Sequence, residues 1–256
     1  MHLFRPALLA LSSLLLSASI AAQPPPRDPQ AVVILQQALA AMGRTAPTDS
    51  VATGTVVLVA GSTTETGTIR ILTRRLDQSA EHIQTPAGSR VVIHSRGHAD
   101  EREGASVKPL SMELAATSQS PDFPLPLLAG ALNSPETALQ YLGPETLDGS
   151  AVHHIRFWTT FSSQPKLLHL AEFSQRDLWL DAASGLPHKV AYDRRAAGGS
   201  AARIPVAVFY SDYRNVGGVL YPFMIKKSFN GTPWATITIQ NVALNTGLTE
   251  ADFPIQ

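Results

Sequence analysis

The sequence predicts an α+β fold, with one amphipathic helix ahead of a long antiparallel meander that a proline-rich stretch interrupts. Three observations carry this. Apolar residues recur at the helical period over residues 30–42. From Thr53 onward the period becomes 2, in short runs separated by glycine-containing turns. Between residues 105 and 145, Pro109, Pro121, Pro124, Pro126, Pro135 and Pro144 break both periods.

The chain opens with its own signal. His2 and Arg5 form a weakly basic head, an uncharged apolar run covers residues 7–20, and Ser19-Ile20-Ala21-Ala22 offers small residues for cleavage before Gln23. That order is a secretory signal peptide. Its 14-residue apolar run falls short of the roughly 20 needed to span a membrane. We therefore expect a signal at 1–22, cleaved near Ala22, and a single exported domain at 23–256 with a helical insertion at about 105–145. An integral membrane protein is not expected.

Composition narrows the function further. The chain contains no cysteine, which removes thiol nucleophiles, thiolate zinc sites and iron–sulfur clusters. It also excludes a lipid anchor on a mature N-terminal cysteine. An exported, disulfide-free chain fits a bacterial periplasm, the expected location. Lys and Arg number 20, as do Asp and Glu, so the electrostatic footprint of nucleic-acid binding is missing. A polyanionic membrane surface is equally poor as a main partner.

Taken in order, residues 23–27 form a short proline tether, and Asp28-Pro29 supplies an N-cap and first helical residue. Val32, Leu35, Leu39 and Met42 make one stripe, widened by Ile34, Ala38 and Ala41, and Gly43 closes the helix. Strands follow at 54–60, 67–74, 78–85, 89–95 and 98–103. Short helices are expected at 112–117 and 127–132, with Ser134-Pro135-Glu136 as the cap and first turn of a third. Strands resume at 140–147, 152–161, 178–181, 186–194, 204–214, 219–229 and 232–244, the Asp148-Gly149 and Asn230-Gly231 turns being the strongest hairpin signals. The expected total is about eleven strands, with no repeat of 20–50 residues.

Alternation assigns faces to the late strands. Tyr221, Phe223, Ile225 and Phe229 share one, opposite Met224 and Lys226. Ile155, Phe157 and Phe161 fall together, as do Ile237 and Ile239, and Phe209 aligns with Tyr213. The helix would fill part of this apolar face with Leu35 and Leu39. If helix and proline-rich segment fill it completely, it is a core. If they fall short, it lines a cavity for an acyl chain or apolar peptide.

No nucleophile elbow, P-loop, dinucleotide fingerprint or HExxH helix occurs, so no catalytic residue is assigned. His94 and His98, with Asp100 and Glu101, straddle a turn and read as wet turn residues rather than a metal site. His153 and His154 are adjacent on a strand and point to opposite faces. Glu172 and Asp177 fall in a polar connection. Arg74-Arg75 and Lys226-Lys227 read as solvated or edge-blunting, with at most one of each pair reaching a cavity mouth. Neither metal nor cofactor is expected.

The C-terminal third carries a resemblance. Trp179-Leu180-Asp181-Ala182-Ala183-Ser184-Gly185-Leu186-Pro187 resembles the W-x-D-x-x-(S/T)-G-L-P hairpin of the LolA/LolB lipoprotein-carrier superfamily. The run from Tyr213 through Gly218 to Pro222 is similar to its Y-R-x-V-x-G-(V/I)-x-x-P hairpin, and Asn241-Val242-Ala243-Leu244-Asn245 with Asp252-Phe253 is similar to its last strand and tail. The resemblance implies a strongly curved, incompletely closed antiparallel sheet with helices and an apolar cavity on its concave face. It implies a non-enzymatic binding protein, monomeric, that takes a lipid, a lipoprotein acyl chain or another apolar ligand. The alternative is an envelope sensor or interaction module that uses the same fold on a protein partner. The strand arginine that holds the lid helices in those carriers has no assigned position in this chain.

Overall fold

Asp28 starts the first helix as its residue type dictates. Its carboxylate accepts the Gln30 amide at 2.8 Å, and Pro29 opens α1 (Pro29–Ala41). The computed structural model describes residues 25–195 and 202–256, so the expected leader at 1–22 lies outside the described residues. Helix α1 ends at Met42, followed by Gly43 at φ 120. It buries Ala31, Ile34, Leu35 and Ala38. Each of the two large side chains contributes roughly 1.5–3 kcal/mol by leaving water.

Among the described residues thirteen strands form one antiparallel sheet. They are β1 (Asp49–Ala60), β2 (Thr63–Arg74), β3 (Gln78–Thr85), β4 (Gly88–Ser95), β5 (His98–Glu103), β6 (Ser106–Pro109), β7 (Thr137–Leu147), β8 (Ser150–Thr159), β9 (Arg176–Asp181), β10 (Pro187–Arg195), β11 (Arg203–Val216), β12 (Val219–Phe229) and β13 (Thr232–Leu244). The order is β6-β5-β4-β3-β2-β1-β13-β12-β11-β10-β9-β8-β7. The last strand thus pairs with the first and joins two meanders, with β6 and β7 as the outermost strands. At that seam the register shifts between Thr53 and Gly54. A Cβ at Gly54 would run into the Thr238 carbonyl oxygen and sit 2.9 Å from Ile239 Cα.

Two helices lie between the meanders in sequence, α2 (Met112–Ser118) and α3 (Pro124–Asn133). The third short helix expected at Ser134-Pro135-Glu136 is absent. Those residues turn into β7, because the Glu136 carboxylate is held by the Ser163 amide at 2.6 Å and the Ser162 hydroxyl at 3.2 Å. Besides β6, the sequence reading also missed a 3-10 segment at Pro165–Phe173, which occupies part of the expected polar connection. Asp177 belongs to β9 rather than to that connection.

The main core is the face of the sheet that α1 and α3 cover, with Leu35, Leu125, Leu128, Ile155, Ile225 and Ile237 at its centre. The tether before α1 pairs with β7 through Asp28 N–H to Leu139 O at 3.0 Å and Leu139 N–H to Pro26 O at 2.9 Å. The Arg27 guanidinium donates to the carbonyls of Ala131, Leu132, Ser134 and Thr137, which satisfies the C-terminal end of α3. On the other face Leu72, Ala80 and Ile93 pack under Phe253 of the C-terminal tail.

Candidate functional site

The inward face of β12 runs Tyr221, Phe223, Ile225 and then, two residues on, Lys227. Alternation splits the pair between faces as expected, with Lys226 in solvent and Lys227 inward under the helical layer, where it is buried at 4% exposure rather than solvated or edge-blunting. Its ammonium pairs with Glu81 of β3 and with Asp122 Oδ1 at 2.7 Å, in the link between α2 and α3. Strands β3 and β12 are four places apart in the sheet. In a flat sheet that is about 19 Å, at roughly 4.8 Å per strand. Direct contact between their side chains therefore requires the sheet to curl strongly. The Arg90 guanidinium of β4 lies 5.6 Å from the Trp234 ring of β13, which repeats the same geometry one row on.

Within the curl lies a hollow that opens to solvent. Ile71, Val92, Leu110, Val206, Phe229 and Trp234 give it apolar walls, and Glu81, Asp122 and Lys227 a charged floor. Arg90 donates to Glu101 at 3.0 and 2.5 Å within it. A second, more open hollow adjoins the first and shares Glu101, Leu110, Arg194 and Phe229 with it.

The link between α2 and α3 straps across the sheet by polar contacts. Tyr210 donates to Pro121 O at 2.6 Å, and Ser120 steadies Asp122 at 2.9 Å. Arg176, inward on β9, donates to Ala116 O of α2 at 3.2 Å and to Phe173 O at 3.3 Å, with its guanidinium 4.3 Å from the Tyr192 ring. This is a strand arginine bonded to a covering helix. Phe123 stacks on Tyr221 at 4.4 Å beneath the strap.

Burial is the largest influence on Asp122 and Glu81, and each must share one cation. Burial pushes the Asp122 carboxyl up to about 7; Lys227 opposes this and Glu81 reinforces it. Burial also raises Glu81, but Lys227, Asp122 and Arg90 together outweigh that and hold it below the usual carboxylate range. Burial would lower Lys227, and the two carboxylates more than reverse it. The buried group therefore holds a proton on Asp122 below neutral pH and gains a net negative charge above it. His94, also at the wall, is lowered to about 4 by burial and then by Arg194.

A stability prediction follows, with its sign. Asp122 is raised in the folded state above 3.8, so its contribution is complete below about 3.8 and is lost as pH rises to about 7. His94 and His82, both lowered, act oppositely as pH falls below 6.5. The difference between wild type and Asp122→Asn isolates the carboxyl. The variant is expected to gain on wild type from pH 5 to pH 8, on the order of 1 kcal/mol per pH unit at the steepest point. Paired urea titrations across that range measure it, and parallel curves would refute it.

The residues that alternation assigned to a cavity lie elsewhere. Leu35, Ile155, Phe157, Tyr221, Phe223, Ile225, Ile237 and Ile239 are buried in the main core under the helices. Leu39 and Tyr213 are half-buried against that core, and Leu39 borders a separate hollow beside Leu76. Phe161 ends its hairpin arm at φ 51, outside the core cluster. Phe209 does not share a face with Tyr213. It lies 5.4 Å from Lys189 on the outer side, while Val206, Val208 and Tyr210 point inward. The positive φ of 54 at Asp212 resets the alternation before Tyr213.

The histidine grouping also separates. His94 faces the hollow, His98 sits exposed at the turn, and Asp100 faces the opposite side, where it accepts the Gln256 amide at 2.8 Å. Among the described residues no three His, Asp or Glu side chains converge on a metal-sized point. Glu172 pairs with Arg195 and Arg203, and Asp177 with Arg156, so the two carboxylates do not meet.

Solved structures share this architecture. An outer membrane lipoprotein-sorting domain, so described, from Vibrio parahaemolyticus superposes with a TM-score of 0.57 at 17% identity, covering 88% of this chain and 96% of its own. A LolA superfamily protein from Nitrosomonas europaea gives 0.57 at 13%, with 88% and 97% covered. The fold is that of the LolA superfamily. A DUF1329 family protein from Desulfovibrio piger shares this LolA-like fold at a TM-score of 0.56 and 15% identity, with 88% and 97% covered. No family model matches the sequence, and no curated protein does. In this LolA-like sheet α1 and α3 fill one part of the concave face, and the part walled by β2–β5 and β10–β13 stays open. No described helix is long and apolar enough to cross a membrane.

Proposed function

We propose that this chain is an exported, non-enzymatic binding protein that holds an acyl chain or other apolar segment in the hollow beyond α1 and α3. The carrying observation is the unfilled part of the concave face, walled by Val92, Leu110, Val206, Phe229 and Trp234 while the neighbouring core is packed. The strap that covers it is tied by a few polar contacts, from Arg176, Tyr210 and Lys227, that can open without disturbing the strand ladder. The periplasm is the proposed location, on the strength of the leader and the absence of cysteine. Reading the protein as non-enzymatic is supported by the separation of His94, Glu172 and Asp177 from one another among the described residues. A protein partner is the second reading. It is favoured by Met112 of α2 and Leu168 of the adjoining 3-10 segment, 50% and 59% exposed.

Displacement of a fluorescent fatty acid from delipidated protein tests the first reading. Val92→Trp, which fills the hollow from a half-buried wall position, is expected to weaken binding at least about tenfold (about 1.4 kcal/mol) with thermal unfolding little changed. Absence of any acyl binding by the wild-type protein would overturn it.

A further inference from the structure

The cations around the two joined hollows divide unequally between partners. Lys227 is occupied by Glu81 and Asp122, and Arg90 by Glu101. Arg195 on the flank is bonded to Glu172. That leaves Arg194, inward on β10 and shared by both hollows, and Lys108 on β6 at the outer one. Neither makes a side-chain hydrogen bond or an ion pair within 4 Å among the described residues; Glu101, already bonded to Arg90, is the carboxylate whose charge both feel. Lys108 is exposed, whereas Arg194 is a half-buried residue whose side chain lines the hollow together with Tyr192, Val206 and Phe229. A planar cation with five donors, partly removed from water and without an acceptor, is unfavourable as it stands. It becomes favourable once an anion supplies two oxygens.

We propose that the ligand of this site is a single-chain amphiphile with a terminal anionic oxygen group, carboxylate or phosphate, seated between Arg194 and Lys108 while its tail enters the inner hollow. This rests on the acyl-binding reading and adds the head group to it. The two hollows meet at Arg194, Leu110 and Phe229, so one molecule occupies both. The head remains near water at the outer hollow, where Lys108 and Arg194 attract it, and the tail is surrounded by Val92, Val206 and Trp234. The inner floor repels an anion, because Lys227 is already matched by two carboxylates. Polarity along the cleft therefore sets the direction of entry, tail first.

The test compares dodecanoate, dodecyl phosphate, dodecanol and inorganic phosphate as competitors of a fluorescent fatty acid on the full delipidated chain. Dodecanoate and dodecyl phosphate are expected to bind at least about tenfold more tightly than dodecanol. Arg194→Gln combined with Lys108→Gln is expected to erase that advantage while leaving dodecanol binding and thermal unfolding unchanged. Equal binding of acid and alcohol by wild type, or an advantage that survives in the double variant, would overturn the head-group assignment and leave the cavity intact. Competition by inorganic phosphate as strong as by dodecyl phosphate would replace the amphiphile with a free anion and overturn it too. Failure of all three alkyl compounds would instead overturn the acyl-binding reading on which this one stands.

Discussion

Lys227→Met is expected to destabilise the protein by about 3–5 kcal/mol at pH 8, because it leaves two buried carboxylates facing each other without their shared cation. The cost should shrink at pH 5, where Asp122, raised to about 7, carries a proton and only Glu81 remains ionised. Adding Asp122→Asn should recover part of the loss at pH 8 by removing one of the two charges. Urea denaturation of the three variants at both pH values measures this. A cost under about 1 kcal/mol at pH 8, a size typical of an exposed pair, would show that Lys227 is solvated after all. The same ion group ties the strap to the sheet, so its loss should also raise exchange of the amides from Ser120 to Phe123.

Gly54→Ala is expected to cost about 3 kcal/mol, at the upper end of what overpacking does. The added methyl meets backbone on the partner strand, the Thr238 carbonyl and Ile239 Cα, and backbone cannot rotate out of the way as a side chain does. Strands β1 and β13 must separate locally, and their pairing is what joins the two meanders into one sheet. Hydrogen exchange should show Val56 and Ile237, partners across the seam, losing protection together. A variant as stable as wild type, with both amides still protected, would mean the register at the seam is different.

Local chemistry made much of the architecture legible. Asp28-Pro29, Gly43, Asp148-Gly149 and Asn230-Gly231 act over two or three residues, and the structure places a helix boundary or a hairpin turn at each. Alternation failed where a single dihedral reset it, as at Asp212 between Phe209 and Tyr213. It also failed for Ser134-Pro135-Glu136, where helix-start chemistry lost to a partner 27 residues away, the Ser163 amide that takes the Glu136 carboxylate. The lining of the hollow was missed for a related reason. Glu81, Arg90 and Lys227 look like surface residues along the chain, since a charged side chain is normally outside.

By itself the sequence determined the helix, the order of the hairpins and the inward faces of β8, β12 and β13, because these depend on neighbours within a few residues. Only the tertiary structure decided that β1 pairs with β13, that the sheet curls until β3 meets β12, and that the helices cover one part of the inner face and leave another open. Those outcomes depend on contacts between residues more than a hundred positions apart, such as Glu81 with Lys227. No local period encodes where such partners will meet.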